Sequence, residues 1–147
     1  MKYKIGLIVG RFQPFHYGHL SMIRQGLELC ENLKIVVGSA NRSYELKNPL
    51  TLVERLEILG LVLEKEGLKD RVEIVGGLDD VASDDNWIDS LIKLGDDSQV
   101  VIGNDDLTLK LAEERKIKTY RPKLTKREIW QATIIREKIL AGEKWQD

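Results

Sequence analysis

The chain has 147 residues, of which 42% are hydrophobic and 32% charged, which is the size and composition of one soluble globular domain rather than a disordered or fibrous protein. The formal net charge is -1, so charge gives no reason to expect nucleic acid or an anionic membrane surface as a partner. One cysteine excludes a disulfide framework and a multi-thiolate metal site, and no apolar run approaches the roughly 20 residues of a membrane span. The first residues do not form a signal peptide, so we expect a single domain, 1–147, in the cytoplasm.

Short apolar runs rich in β-branched residues alternate with longer segments of helical spacing. In chain order, the pattern predicts strand 5–9, helix 20–30, strand 34–38, helix 52–63, strand 72–76, helix 87–94, strand 99–103, helix 107–114, strand 116–120 and helix 133–140. Regular alternation of strands and helices indicates an α/β fold, with a parallel β-sheet and helices on both faces.

Glycines close three of the predicted strands. Gly10, Gly38 and Gly103 each precede a polar segment. In parallel sheets, ligands bind where the carboxyl ends of strands meet the following loops and helices, and glycine lets the main chain approach a ligand closely. Simple turn chemistry is the alternative explanation.

The segment GRFQPFHYGH at 10–19 contains both histidines of the chain. If the next helix begins near Tyr17 or Gly18, His16 and His19 lie at its positive end beside free main-chain N–H groups. That arrangement predicts an anion site with added imidazole donors. A metal half-site is the less favoured alternative, because no third ligand stands nearby. Neither a P-loop nor a GxGxxG fingerprint is present.

This segment is similar to the HxGH signature of the nucleotidylyltransferase superfamily, in the version found in archaeal-type nicotinamide mononucleotide (NMN) adenylyltransferases. The resemblance continues in the segment 38–55, in Asp80 and Trp87, in Gly103 and Asn104, and in the segment 132–145. It implies a Rossmann-like nucleotidylyltransferase fold. It also implies transfer of AMP from ATP to NMN, with Mg²⁺ accompanying ATP, no protein-bound metal, and products NAD and pyrophosphate. Archaeal-type relatives assemble as homohexamers, so a homo-oligomer is expected.

The resemblance also implies roles for individual residues. The catalytic set is His16, His19, Arg11 and Arg136. The ATP-binding set is Gly10, Arg11, Phe12, His16, Gly18, His19, Gly103, Asn104, Thr133 and Arg136. The NMN-binding set is Ser39, Lys47, Asp80, Asp84 and Trp87.

Several of these residues have a plainer explanation. Lys47 and Arg55 are nearly as well explained as exposed, solvated charges. Trp87 would stack on the cationic nicotinamide ring, or it anchors its helix in the core. Asp84 or Asp85 caps that helix in the alternative where the acidic segment is only a solvated loop.

Two rival functions remain open. The first is another nucleotidylyltransferase of the same fold, acting on FMN, pantetheine phosphate or a cytidylyl acceptor; Arg11 and Trp87 argue against it. The second is a nucleotide-binding regulatory module without catalysis, suggested by Gln131 and Ala132, where the family has Ser-Gly. The intact histidine pair argues against this second reading.

Overall fold

In a computed structural model of the chain, residues 1–12, 15–41, 43, 50–123 and 139 are described. The strands are β1 (Tyr3–Gly10), β2 (Cys30–Val37), β3 (Val72–Gly77), β4 (Val100–Ile102) and β5 (Lys118–Tyr120). The helices are α1 (Tyr17–Leu29), α2 (Leu52–Lys65), α3 (Asp84–Leu94) and α4 (Asp106–Glu114). The predicted alternation is confirmed, whereas the predicted helix 133–140 lies outside the described residues except for residue 139. Among the described helices, none has the length and apolar character needed to cross a bilayer.

The sheet is parallel throughout, with the strand order β3-β2-β1-β4-β5. Strand β1 is central, with Gly10 opposite Val37 of β2 and Ile8 opposite Ile102 of β4. The chain first adds β2 and β3 on one side of β1, and then crosses to the other side for β4 and β5. The loops after β1 and β4 therefore diverge and open a crevice at the carboxyl edge, the place where such sheets bind ligands.

Helices cover both faces of the sheet, as predicted. Ile8 and Ile35 lie in a core shared with α1 and α2, whereas their neighbours Leu7 and Val36 lie in a second core shared with α3 and α4. All four side chains are at most 1% exposed. Burial on both faces explains why the strands are continuous apolar runs rather than alternating ones.

Helix α3 begins three residues earlier than predicted, because its cap is Ser83. The Ser83 hydroxyl oxygen accepts a hydrogen bond from the Asn86 N–H at 3.2 Å. The alternative in which Asp84 or Asp85 caps this helix is therefore wrong. Both aspartates lie in the first turn of α3, where negative charge favours the positive end of the helix dipole.

Cys30 is the first residue of β2 and not, as its spacing from Leu27 predicted, the last residue of the preceding helix. Its thiol is fully buried, and burial raises its pKa. A neutral, inaccessible thiol fits the expected packing role and not a reactive one.

Two helical glycines provide a stability prediction with a built-in control. A methyl group added at Gly60 of α2 would meet nothing within 4 Å, whereas one at Gly26 of α1 would lie 3.1 Å from Leu33 and 3.2 Å from Ile102. Because alanine costs less conformational entropy than glycine in a helix, Gly60→Ala should raise the free energy of unfolding by about 0.5–1 kcal/mol. Gly26→Ala should lower it, because both neighbours are buried core residues. Urea unfolding of the two variants and the parent measures both effects. A lower free energy of unfolding for Gly60→Ala would contradict the open space that the structure shows beside Gly60.

Candidate active site

A cleft of about 470 Å³ opens at the carboxyl edge of the sheet. Its lining brings together the end of β1, the segments that follow β2, β3 and β4, and the first turns of α3 and α4. Six of the residues predicted to bind substrates line it: Gly10, Arg11, Ser39, Asp80, Asp84 and Trp87. Residues far apart in the sequence thus meet at the expected edge of the sheet.

The two histidines form the start of α1, which begins at Tyr17. This start meets the condition set for the anion site and lies three residues before the start that apolar spacing predicted. His16 is the N-cap: its ring Nδ1 accepts a hydrogen bond from the Gly18 N–H at 3.0 Å. The His19 Nδ1 accepts one from the His16 N–H at 3.2 Å, so the two rings complete a reciprocal capping box. The expectation of free main-chain donors at this helix end is wrong for Gly18 and His19, whose N–H groups already bond to the ring and the carbonyl of His16.

These hydrogen bonds also define the tautomers of the two rings. A neutral imidazole nitrogen that accepts an N–H carries no proton, so the hydrogen-bond pattern assigns the proton of each ring to Nε2. The rings stack with centroids 3.8 Å apart, which holds both in one orientation. The site therefore has two Nε2–H donors on neighbouring rings at the positive end of a helix, an arrangement suited to an anion.

Phe12 packs against the His19 ring of this pair. Its side chain is 1% exposed, and its ring lies 4.6 Å from the His19 ring, centroid to centroid. A methyl group on Gly10 would lie 3.0 Å from the Phe12 ring, so a glycine is needed at the end of β1. With its ring buried, Phe12 can meet a ligand only through its main chain.

Ser39, at the end of β2, connects to Asp80, beyond β3. Its hydroxyl donates to both oxygens of the Asp80 carboxylate, at 2.9 and 3.1 Å. Asn41 holds the main chain of Asp80, with the Asp80 N–H donating to the Asn41 side-chain oxygen at 2.9 Å. These bonds place the Asp80 carboxylate in the cleft wall.

Asp84 and Trp87 lie three residues apart on α3, on the same side of the helix. Trp87 lines the cleft and also packs, partly buried, against the core beneath α3 and α4. The two interpretations of this tryptophan are thus compatible. Asp85, by contrast, is 80% exposed and pairs with Arg115 at 3.1 Å.

The loop after β4 contributes an acid that the sequence did not reveal as a site residue. Asp105 lines the cleft while capping α4, with one carboxylate oxygen accepting from the N–H and the hydroxyl of Thr108. Its position directly after the predicted fourth strand and Gly103 was the available signal. Before it, the Asn104 carbonyl accepts from Arg121 at 2.8 Å, and the Gly103 N–H donates to Tyr120.

Arg55, expected as an exposed charge in one interpretation, is fully buried. Its guanidinium donates to main-chain carbonyls at the ends of β1 and β2. The solvated-charge interpretation is therefore wrong for this residue. The spacing carried a hint of this, because Arg55 lies four residues before Leu59 and eight before Leu63, the other buried residues of α2. Residue type pointed the other way, since arginine is ordinarily exposed.

Three predicted site residues lie outside the described part of the chain: Lys47, Thr133 and Arg136. The other six predicted site residues are described but do not line this cleft: Phe12, His16, Gly18, His19, Gly103 and Asn104. Within the described ranges, no group of three or more His, Cys, Asp or Glu side chains has the arrangement of a metal site.

Residues 7–138 match the cytidylyltransferase-like family. The chain is 34% identical over 146 residues to a nicotinamide-nucleotide adenylyltransferase of Thermoplasma acidophilum, covering 99% of this chain and 80% of that protein. It is 37% identical over 142 residues to the nicotinamide-nucleotide adenylyltransferase of Aeropyrum pernix, covering 96% and 83%. This chain belongs to the nicotinamide-nucleotide adenylyltransferase family. The resemblance found in the sequence motifs is confirmed.

The fold is confirmed by a solved structure. A bifunctional NMN adenylyltransferase/ADP-ribose pyrophosphatase from Francisella tularensis, complexed with AMP and a manganese ion, superposes with a TM-score of 0.81 at 27% identity. The match covers 95% of this chain and 42% of that one, so this chain spans less than half of the bifunctional protein. The Rossmann-like nucleotidylyltransferase fold follows from this superposition and the parallel sheet.

Proposed function

We propose that this chain transfers AMP from ATP to NMN, releasing pyrophosphate and forming NAD. The observation on which we base this is the composition of the cleft and its surroundings. A helix start with two Nε2–H donors packs against Phe12, the residue after Arg11, and both Arg11 and Trp87 line the cleft. The names of the archaeal relatives support the same reaction.

The chemistry requires no side-chain nucleophile. The 5′-phosphate of NMN is largely ionised at neutral pH, because the second pKa of a phosphate monoester is about 6. One of its oxygens attacks the α-phosphorus of ATP, the bond from that phosphorus to the bridging oxygen breaks, and pyrophosphate leaves with the electron pair. The protein's task is to align two polyanions and to stabilise charge on the transferring group.

In this proposal the ATP phosphates lie at the start of α1. His16 and His19 donate from Nε2, and Arg136 adds a positive charge. The remaining ATP contacts come from Gly10, Phe12, Gly18, Gly103, Asn104 and Thr133. Arg11, which lines the cleft, contacts both substrates. Mg²⁺ enters as part of the MgATP substrate, held by phosphate oxygens, which are its preferred ligands.

The mononucleotide occupies the cleft between the ends of β1, β2 and the first turn of α3. Trp87 stacks on the nicotinamide ring, and Asp80 and Asp84 border it. Ser39 orients Asp80 through its two hydrogen bonds, and Lys47 binds the phosphate of NMN.

Pyrophosphate release with ATP and each of three acceptors tests the proposal. NMN, FMN and pantetheine phosphate are offered in parallel, and the nucleotide product is identified by mass spectrometry. Release with NMN alone, together with NAD formation, supports the proposal. Pyrophosphate release with FMN or pantetheine phosphate instead of NMN contradicts the proposal and favours the first rival function. No pyrophosphate release with any of the three acceptors contradicts it and favours the second.

Trp87→Ala should weaken NMN binding about fivefold while leaving ATP binding within twofold, because stacking and cation–π attraction with the cationic ring are of order 1 kcal/mol. Calorimetric titration of each ligand measures both affinities. Trp87→Phe is the matched control, since it keeps an aromatic face and should retain most of the NMN affinity. An equal loss for both ligands, together with a lowered Tm, would show that Trp87 acts only as a core anchor.

The expected homohexamer stays a prediction. Light scattering on the eluting peak of a size-exclusion column measures the mass directly. A monomeric peak would contradict it.

A further inference from the structure

The side chain of Arg55 enters the carboxyl edge of the sheet from the first turn of α2. It is fully buried, and its nitrogens bond to main-chain carbonyls from three segments. Nη1 donates to Gly38 at 2.8 Å and to Arg11 at 3.1 Å, and Nη2 donates to Ser39 at 3.0 Å. Nε donates to Thr51 of its own helix at 3.1 Å, which fixes the direction of the side chain.

The carbonyls that Arg55 binds flank two unusual main-chain conformations. Phe12 has a φ of 51° and Ser39 a φ of 49°, both in the left-handed region. Side chains other than glycine rarely adopt this region, and a bulky residue such as phenylalanine does so only when its surroundings enforce it. Arg55 bonds to the carbonyl of Arg11, directly before Phe12, and to that of Ser39 itself. One side chain therefore secures both strained turns.

These two turns set the geometry of the cleft. The turn at Phe12 follows Arg11, which lines the cleft, and packs the Phe12 ring against His19. The turn at Ser39 directs the Ser39 hydroxyl to the Asp80 carboxylate. The two strand ends are also joined directly, because the Gly38 N–H donates to the Gly10 carbonyl at 2.7 Å.

The positive charge of Arg55 lies behind the same strand ends. Burial lowers the pKa of its guanidinium, the nearby positive charge of Arg11 lowers it further, and Asp80 raises it. An arginine side chain nevertheless stays protonated in proteins. A buried positive charge thus lies behind the strand ends that border the cleft, where it favours anionic substrates.

We propose that Arg55 is a positioning residue for adenylyl transfer, holding the ends of β1 and β2 in the conformation that presents Arg11 and Ser39 to the substrates. This inference rests on the proposed function, because it takes the cleft as the place where the substrates meet. Arg55 itself does not contact the substrates. It acts through Arg11 on the reacting phosphates and through Ser39 and Asp80 on the mononucleotide.

Lysine cannot replace arginine in this role. The planar guanidinium reaches carbonyls on separate segments at once, whereas a lysine ammonium is a single point of charge. Arg55→Lys therefore keeps the charge and loses the simultaneous bonds. A displacement of about 1 Å at a reacting group costs up to about 10²-fold in rate, so we expect kcat/KM for NMN to fall tenfold to a hundredfold.

Arg71 offers a matched control at the opposite end of the sheet. It too bonds several main-chain carbonyls, those of Leu27 at 2.8 Å, Cys30 at 3.0 Å and Glu31 at 3.0 Å, but it precedes β3 and lies away from the cleft. Arg71→Lys should lower Tm while leaving kcat and both KM values within twofold of the parent.

The experiment compares Arg55→Ala, Arg55→Lys, Arg71→Lys and the parent, each assayed well below its own Tm with rates expressed per folded molecule. A purely structural role of Arg55 would lower Tm and leave these normalised rates unchanged. The proposal expects a fall in kcat and a rise in the KM for NMN, with a smaller change in the KM for ATP. If Arg55→Ala does not fold, Arg55→Lys decides, prepared in the Gly60→Ala background where more stability is required.

The inference is overturned if folded Arg55→Lys keeps kcat and KM for NMN within twofold of the parent. It is also overturned if Arg71→Lys loses as much normalised activity as Arg55→Lys. A parent that uses a different acceptor would refute the proposed function alone, since the same variants are then compared on that acceptor.

Discussion

His19→Ala should lower kcat by about 10²–10³, the usual loss when one preorganised donor to a transition state is removed. His19 carries an Nε2–H at the positive end of α1, where we place the α-phosphoryl group. Its KM values should change far less than kcat, because the charge that this donor meets develops during the reaction. Steady-state kinetics with ATP and NMN varied separately measures all three constants.

The same substitution also removes a helix cap, so stability must be measured alongside activity. The His19 ring accepts the His16 N–H, and losing a capping interaction costs about 0.5–2 kcal/mol. His19→Gln is the matched variant, because glutamine is a customary acceptor at this third helical position. We expect its Tm to stay near that of the parent while kcat falls at least tenfold, since its amide no longer presents the ring Nε2–H.

A His19→Ala enzyme with kcat within threefold of the parent would exclude the proposed role of this histidine. A His19→Gln enzyme with parental kcat would instead assign the effect of His19→Ala to the lost cap.

The protein should use NMN in preference to nicotinate mononucleotide, by about tenfold to a hundredfold in kcat/KM. Three aspartates line the cleft beside Trp87: Asp80, Asp84 and Asp105. The carboxamide of NMN can donate to a carboxylate, whereas the acid of nicotinate mononucleotide adds a like charge. Like charges placed together across a binding surface cost several kcal/mol, and the exposure of these side chains lets solvent and salt screen part of that cost.

Asp84→Asn tests the electrostatic origin of the preference. It removes one negative charge next to the ring and should narrow the ratio of the two kcat/KM values severalfold. Asp85→Asn is the matched control: it changes the same charge on the adjacent residue, which pairs with Arg115 and does not line the cleft. The ratio should not change in that variant.

Equal use of the two mononucleotides by the parent would disprove the hypothesis. A preference that is unchanged in Asp84→Asn would assign it to Asp80, Asp105 or main-chain groups instead.

The amino-acid sequence alone determined the succession of strands and helices along the chain. It also determined that the site lies at the carboxyl edge of the sheet. Continuous β-branched runs identify strands buried on both faces, and the repeat of leucines in α2 identifies a helix, because both patterns depend on neighbours a few residues away. The apolar spacing predicted α1 from residue 20, three residues after its actual start at Tyr17. The motif resemblance then located six of the twelve residues that line the cleft.

Tertiary structure decided what each of these residues does inside the fold. The hydrogen-bond partners of Arg55, the bond from Ser39 to Asp80 and the presence of Asp105 in the cleft all depend on segments that are distant in sequence. Two element boundaries were also decided by the structure. Helix α3 is capped by Ser83 rather than by Asp84. Cys30 begins strand β2 because it pairs with Tyr3 of β1. Local sequence patterns carry no information about hydrogen-bond partners on distant segments, since these bonds form only after the sheet has brought the strand ends together.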